Sequence, residues 1–162
     1  MEKAHADPPG SQIRILTASW RDFRGLYELE KACFPEDAWP IWDVLGVLTF
    51  PDIVRLKAAQ KDRLIGFIAG DQRPSQGVAW IATFGVLPGY RRQGIGSRLL
   101  AACEKRLQVG VVRLNVRVSN QPARELYRQR GYRLVGRWAE YYQGKEDALV
   151  LEKTLRQETA GR

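Results

Sequence analysis

The chain is poor in the side chains on which much enzymatic chemistry depends. It has one histidine, one methionine and two cysteines in 162 residues. His5 falls in the Pro- and Gly-containing opening stretch MEKAHADPPGS, and Cys33 and Cys103 lie too far apart in sequence to form a ligand pair. These absences exclude a Ser-His-Asp or Cys-His arrangement from the ordered part and leave no His/Cys set for a metal. Long apolar runs are missing too. Nothing approaches the ~20 consecutive apolar residues of a membrane-spanning helix, and the N-terminus lacks the apolar stretch of a secretion signal. No Pro/Gly/Ser-rich linker divides the chain and no internal repeat is visible. The expectation is one soluble domain over residues 12–157 in a reducing, cytoplasmic compartment, with a flexible tail at 1–11 and a frayed end at 158–162.

What is present is enough for a core. With 44% hydrophobic residues, a chain of this size buries roughly two-thirds of its unfolded surface without disulfide staples. The formal charge of +8 suits polyanionic partners such as nucleic acid, ribosomes or a nucleotide-bearing cofactor, and equally suits a solvated basic face. The arginine excess is spread from Arg91 to Arg137 without a clustered aromatic platform, which argues against direct nucleic-acid binding.

Periodicity orders the elements. QIRILTA alternates as a strand, and SWRDFRGLYELEKACF places apolar residues at 23, 26, 27, 29 and 33, as in a helix starting near Ser19 and closed by Pro35. PIWDVLGVLTF reads as a second short helix. IVRLKAAQKD and RLIGFIAGDQ read as strands around a turn at 61–63, and VAWIATFGVL as a third strand. Ile95, Leu99, Cys103 and Leu107 then repeat at four-residue spacing, the core stripe of a helix. VVRLNVRVS is another buried strand. Ser119 or Asn120 can cap a helix carrying Pro122 in its first turn and ending at Gly131, and YRLVGRWAEYY and DALVLEKTL complete the set as strands.

The segment LPGYRRQGIGSRLL concentrates chemistry at one point. A helix mouth offers unpaired N–H groups and a partial positive charge, glycines allow close approach to the backbone, and guanidinium forks match phosphate oxygens. Neither the P-loop Lys-Ser/Thr nor a third dinucleotide-loop glycine is present. The remaining pattern, Arg-x-x-Gly-x-Gly between an apolar strand and a helix, resembles the acyl-CoA pyrophosphate loop of the GNAT acetyltransferase family. The element order resembles the GNAT fold from about residue 12 to 155. That resemblance implies a single mixed, largely antiparallel α/β sheet, splayed between its fourth and fifth strands and flanked by about four helices.

The resemblance also implies roles for particular residues. Acetyl-CoA would be the donor and no metal would be needed. Phe84, Gly85 and Val86 would offer backbone groups to the pantetheine arm and the thioester, and Arg91, Arg92, Gln93, Gly94, Ile95, Gly96 and Ser97 would hold the pyrophosphate. LNVRVSNQPARELYRQRGY resembles the second cofactor segment. There Asn120 would bond pantetheine, or serve only as a helix cap, and Tyr127 would protonate the leaving thiolate, or serve only as a core aromatic.

EYYQGKEDALVL and CFPED resemble the subgroup that acetylates protein N-termini, which includes the ribosomal-protein alanine acetyltransferases. Tyr141, Tyr142, Phe34, Pro35, Glu36 and Trp80 would then line the acceptor site, the two tyrosines pointing to opposite faces of a strand. The acceptor would be a protein or peptide N-terminus, on a ribosomal protein or nascent chain, and the enzyme a monomer or weak homodimer. One departure stands out. Related enzymes often carry Glu or His where this chain has Asn115, and an amide is no base. Deprotonating an α-amine of pKa about 8 at pH 7 costs ~1.4 kcal/mol against ~4.6 for lysine, so the loss favours an α-amine acceptor. Glu36 is the leading substitute as base or amine anchor, with Asn115 holding a water, and an exposed structural acid is the alternative for Glu36. A small-amine acetyltransferase and a non-catalytic CoA-sensing or ribosome-associated domain are the competing functions.

Overall fold

The structure, a computed structural model, describes residues 12–155. The expected tail, the frayed end and His5 lie outside the described residues. The elements follow the expected order: β1 (Ile13–Thr17), α1 (Phe23–Cys33), α2 (Ile41–Thr49), β2 (Ile53–Gln60), β3 (Arg63–Arg73), β4 (Val78–Val86), α3 (Ile95–Arg106), β5 (Val111–Arg117), α4 (Gln121–Gln129), β6 (Arg133–Trp138) and β7 (Ala148–Thr154). They build one seven-stranded sheet in the order β1-β2-β3-β4-β5-β7-β6, antiparallel except for the β4–β5 pair.

Two apolar layers cover the sheet. On one face α3 and α4 bury Leu99, Leu100, Cys103 and Tyr127 against Leu56, Ile68, Val112 and Leu114; on the other, α1 and α2 bury Leu26, Leu29, Val44 and Val47 against Phe67 and Ala69. The four-residue stripe Ile95, Leu99, Cys103, Leu107 is buried throughout, the last residue lying just past the helix end. Each fully buried aliphatic side chain stabilises the fold by about 1.5–3 kcal/mol.

Two boundaries differ from expectation. The stretch after Ser19 is first a 3₁₀ turn, Trp20–Asp22, held by a reciprocal cap: the Ser19 N–H donates to Asp22 Oδ2 at 2.9 Å and Ser19 Oγ accepts from the Arg21 N–H at 3.3 Å. The reciprocal bonds satisfy donors locally, so the regular helix begins only at Phe23. At the other end of the chain, β6 stops at Trp138 and Tyr141 and Tyr142 are not on a strand. Glu140 takes a positive φ of 49°, and its N–H and Arg137 Nε bond the Asp147 carboxylate at 2.9 and 2.6 Å, closing residues 139–147 into a loop. The β2–β3 turn falls within the expected 61–63, with β3 starting at Arg63 and Lys61 at φ 53°.

The feature that positions a site is the parting of β4 from β5. Their pairing comprises Val78↔Val111, Ala79↔Val112 and Trp80↔Arg113, and beyond it the two strands run on to Val86 and Arg117 without partners in each other. Leu99 of α3 packs fully buried against β3 beside Gly66, where an alanine would leave a cavity. Leu99→Ala should lower unfolding free energy by about 2–5 kcal/mol in urea titration; a loss under about 1 kcal/mol would mean the α3 layer is not packed as described.

Candidate active site

The loop between β4 and α3 is where the sequence reading expects anion-binding chemistry. Pro88–Tyr90 forms a 3₁₀ turn, Arg92 and Gly94 adopt positive φ of 61° and 77°, and α3 starts at Ile95 with no side chain capping it. A Cβ on Gly94 would meet nothing within 4 Å, so its glycine character answers to the left-handed backbone and an open mouth. Gly96 differs. A Cβ there would lie 3.4 Å from the Phe84 ring, so Gly96 permits close packing of the helix on β4. Arg91 folds back and its Nε donates to the Val86 carbonyl at 2.9 Å, while Arg92, Gln93 and Gly94 are exposed and Ser97 half-buried.

β4 presents different groups to its two faces. Phe84 faces α3 and α4, with its ring 6.2 Å from that of Tyr127. Thr83 and Gly85 face α1, where Gly85 lies against Cys33 and Leu29 and the Thr83 hydroxyl donates to Glu30. The stretch Phe84–Val86 is therefore bordered on one face by Tyr127 and on the other by α1. Tyr127 is buried, and burial, reinforced by the neighbouring Tyr142 phenol, pushes its pKa above the ordinary tyrosine value, so it stays a proton donor. Its ring also packs on Tyr132 at 5.6 Å. Asn120 caps α4 through Oδ1, which accepts from the Ala123 N–H at 3.2 Å. The capping role is thus real, and its amide NH₂ is a further donor.

Three of the residues expected at the acceptor site, Trp80, Tyr141 and Tyr142, join Trp138 in one aromatic wall. Trp80 stacks on Trp138 at 5.8 Å, Trp138 meets Tyr141 at 5.2 Å, and Tyr141 meets Tyr142 edge-on at 5.0 Å. The two tyrosines therefore touch each other, where opposite faces of a strand would have separated them. Burial raises the Tyr142 pKa to about 12. Phe34 ends α1 and its carbonyl accepts from the Asp37 N–H at 3.2 Å, which folds the Phe34-Pro35-Glu36-Asp37 turn towards the same wall. Glu36 is its exposed acid, 74% accessible at the side chain and 3.7 Å from Arg117. Asn115 shares the outward face of β5 with Arg113 and Arg117, alternating with buried Val112, Leu114 and Val116. Its Oδ1 is buried without a hydrogen-bond partner, an acceptor that suits a water or an ammonium.

Two residues escaped the sequence reading. Glu30 is 1% exposed, bonds Thr83 and the Trp39 backbone, and has its pKa raised chiefly by desolvation. The available signal was an acid embedded in the apolar stripe of α1, beside Leu29 and between Leu26 and Cys33. Arg117 is the other; its partners are up to 80 residues away in sequence, and no local pattern announces them.

With this geometry in place, comparison with known proteins identifies the class. The acetyltransferase (GNAT) family profile matches residues 17–132, and the chain belongs to that family of acetyl-CoA-dependent N-acetyltransferases. Within it the chain is 39% identical to an N-alpha-acetyltransferase of Sulfurisphaera tokodaii, over 96% of this chain and 100% of that protein. It is 35% identical to the N-alpha-acetyltransferase RimI of Mycobacterium tuberculosis, over 85% of this chain and 87% of the relative. The match to the Arabidopsis thaliana N-terminal acetyltransferase B catalytic subunit NAA20 is 34% identical and spans 65% of this chain and 64% of that one. The fold superposes on the Escherichia coli ribosomal-protein-S18-alanine N-acetyltransferase with a TM-score of 0.81 at 23% identity, over 93% of this chain and 99% of that one. Among the described residues no His/Cys/Asp/Glu group could hold a metal and no helix is long and apolar enough to cross a membrane.

Glu30 yields a test of the site's electrostatics. A carboxyl whose folded pKa is raised above its ordinary 4.5 binds protons more tightly in the folded than in the unfolded chain, so its contribution weakens stability as pH climbs through that window. Urea titrations from about pH 4.5 to pH 7 should show wild-type losing stability relative to Glu30→Gln as pH rises. A difference between the two proteins that is flat with pH would place the ionisation elsewhere.

Proposed function

We propose that this protein transfers acetyl from acetyl-CoA directly to the N-terminal α-amine of a protein or peptide. The observation that carries the reading is Asn115. On β5, between Arg113 over the Trp80 ring and Arg117 over the Tyr142 ring, stands an amide with an unpartnered carbonyl oxygen, where a strong base would be needed to strip a lysine. An α-amine is deprotonated to a useful extent near neutrality at a cost of ~1.4 kcal/mol, so a water on Asn115, or the Glu36 carboxylate, suffices to take its proton. The names of the relatives, N-alpha-acetyltransferases from an archaeon and a bacterium, support the same acceptor.

Acetyl-CoA supplies an activated thioester. The fit to it rests on the open Gly94 turn, the uncapped start of α3 and the β4 residues Phe84–Val86, which pair with β3 but have no partner in β5. In this scheme the loop N–H groups with Arg92 bind phosphate oxygens, and backbone N–H groups near Val86 polarise the thioester carbonyl. The amine is presented from the face of α1 and the aromatic wall. As the new C–N bond forms and the C–S bond breaks, Tyr127 donates its phenolic proton to the departing sulfur and recovers one from solvent. Attack is direct: Cys33, the cysteine beside Val86, is a hydrogen-bonded thiol whose pKa burial raises, which makes it a poor nucleophile for an acyl-enzyme.

Purified protein with acetyl-CoA and peptides beginning Ala, Ser, Met-Leu or Asp should release CoA and yield α-amine-acetylated product by mass. Acetylation only of blocked lysine peptides or spermidine would replace this acceptor, and silence on every amine would favour a CoA-sensing role. Tyr127→Phe should lower kcat by about 10²-fold or more while acetyl-CoA still stabilises the protein thermally; an unchanged kcat would remove the phenol from proton transfer. Glu36→Gln should lower turnover and move the pH profile, whereas an unaltered profile would leave Asn115 and water as the sole route.

A further inference from the structure

Past Trp80 and Arg113 no backbone bonds hold β4 to β5, so the acceptor side of the gap needs another tie. Arg117, the last residue of β5, stands four positions beyond that final pair, with its side chain only 20% exposed. Its Nε donates to Asp37 Oδ2 at 2.9 Å and its Nη2 bonds the same oxygen. Its Nη1 donates to Glu146 Oε2 at 2.8 Å, both terminal nitrogens lie 3.3 Å from the Gln143 carbonyl, and the guanidinium sits 4.6 Å over the Tyr142 ring. Asp37 belongs to the loop that follows α1, the helix packed on β4. Gln143, Glu146 and Tyr142 belong to the loop between β6 and β7, on the β5 side.

We infer that Arg117 is a positioning residue that fastens the α1–α2 loop to the β6–β7 loop across the parted strands, so that acceptor affinity depends on it while the donor site does not. The inference rests on the α-amine reading for its kinetic consequence and on the structure alone for its mechanical one. The tie is specific. Asp37 Oδ1 also accepts from the Gln143 N–H at 3.3 Å, and Glu146 Oε1 accepts from the Ser119 N–H at 2.7 Å, which anchors the second loop to the segment before α4. A planar fork is required, because one cation must serve two carboxylates, a carbonyl and a ring face at once. Three carboxylates, Glu36, Asp37 and Glu146, surround this one guanidinium. Asp37 and Glu146 take its short contacts, and Glu36, farther away and exposed, is left to meet a cationic amine.

The test compares wild type with Arg117→Gln, Arg117→Lys, Asp37→Asn and the Arg117→Gln/Asp37→Asn double variant. Arg117→Gln should raise the KM for an acetylatable peptide at least about tenfold, with kcat and acetyl-CoA affinity changing less than about threefold. Lysine should rescue in part only, and the double variant should be little worse than either single change, as for two partners of one interaction. Hydrogen exchange should show lost protection in both loops, 34–40 and 139–147, in the absence of any acceptor. If Arg117→Gln fails to fold, Asp37→Asn carries the same readouts. Equal damage to kcat or acetyl-CoA affinity, additive single effects, or unchanged exchange in the loops would each overturn the clamp. A wild-type protein that acetylates no α-amine would overturn the acceptor assignment, and the exchange measurement would still decide whether Arg117 fastens the loops.

Discussion

The separation of β4 from β5 is the constraint on which the remaining arrangement depends. A sheet interior normally leaves no backbone group free, because a buried N–H or C=O without a partner costs about 1–3 kcal/mol. Here three residue pairs join the strands at one end and none at the other. The unpaired edges are thereby left to bond something outside the sheet, and the gap must be held open by what packs on either side. Phe84 and Tyr127 do this from the α3/α4 layer, and Leu29, Cys33 and Gly85 from the α1 layer. A crevice between the halves of one sheet is then available to a thin, extended, hydrogen-bonding ligand.

The two sides of that crevice differ in chemistry. On the α3 side the features are cationic and open: exposed Arg92, Gly94 at positive φ and the uncapped helix start. On the other side they are aromatic and acidic: the Trp80–Trp138–Tyr141–Tyr142 wall with Glu36, Asp37 and Glu146. The chain's excess of positive charge is therefore unevenly distributed, three carboxylates gathering around Arg117 on the aromatic side. Hydrogen bonds from Ser119 and Arg117 hold the Glu146 carboxyl down to about pKa 2, so that acid stays ionised through the physiological range. Tyr127 stays protonated for the opposite reason, desolvation without a cationic partner.

Much of this was legible in the chain, and the reason is local. Helix periodicity, Pro and Gly punctuation and the Arg-x-x-Gly-x-Gly spacing are short-range signals, so element order, the core stripe of α3 and the glycine turn before it all follow from residues within a turn or two of one another. The errors fall where local preference is outvoted. Tyr141 and Tyr142 continue a β-prone run, yet Asp147 captures Glu140 and Arg137 and bends the run into a loop. Glu30 reads as one acid among several on a helix until β4 brings Thr83 against it.

Local pattern alone thus settled the mixed α/β class and the order of its elements. Only the folded chain decided which face of β4 meets Tyr127, that the paired tyrosines touch, that the Asn115 oxygen is buried without a partner, and that Arg117 meets Asp37 from 80 residues away. The division has one physical cause. Propensity and periodicity act through bonds and neighbours along the chain, whereas burial, desolvation and ion pairing depend on the distance between groups that only closure of the sheet brings together.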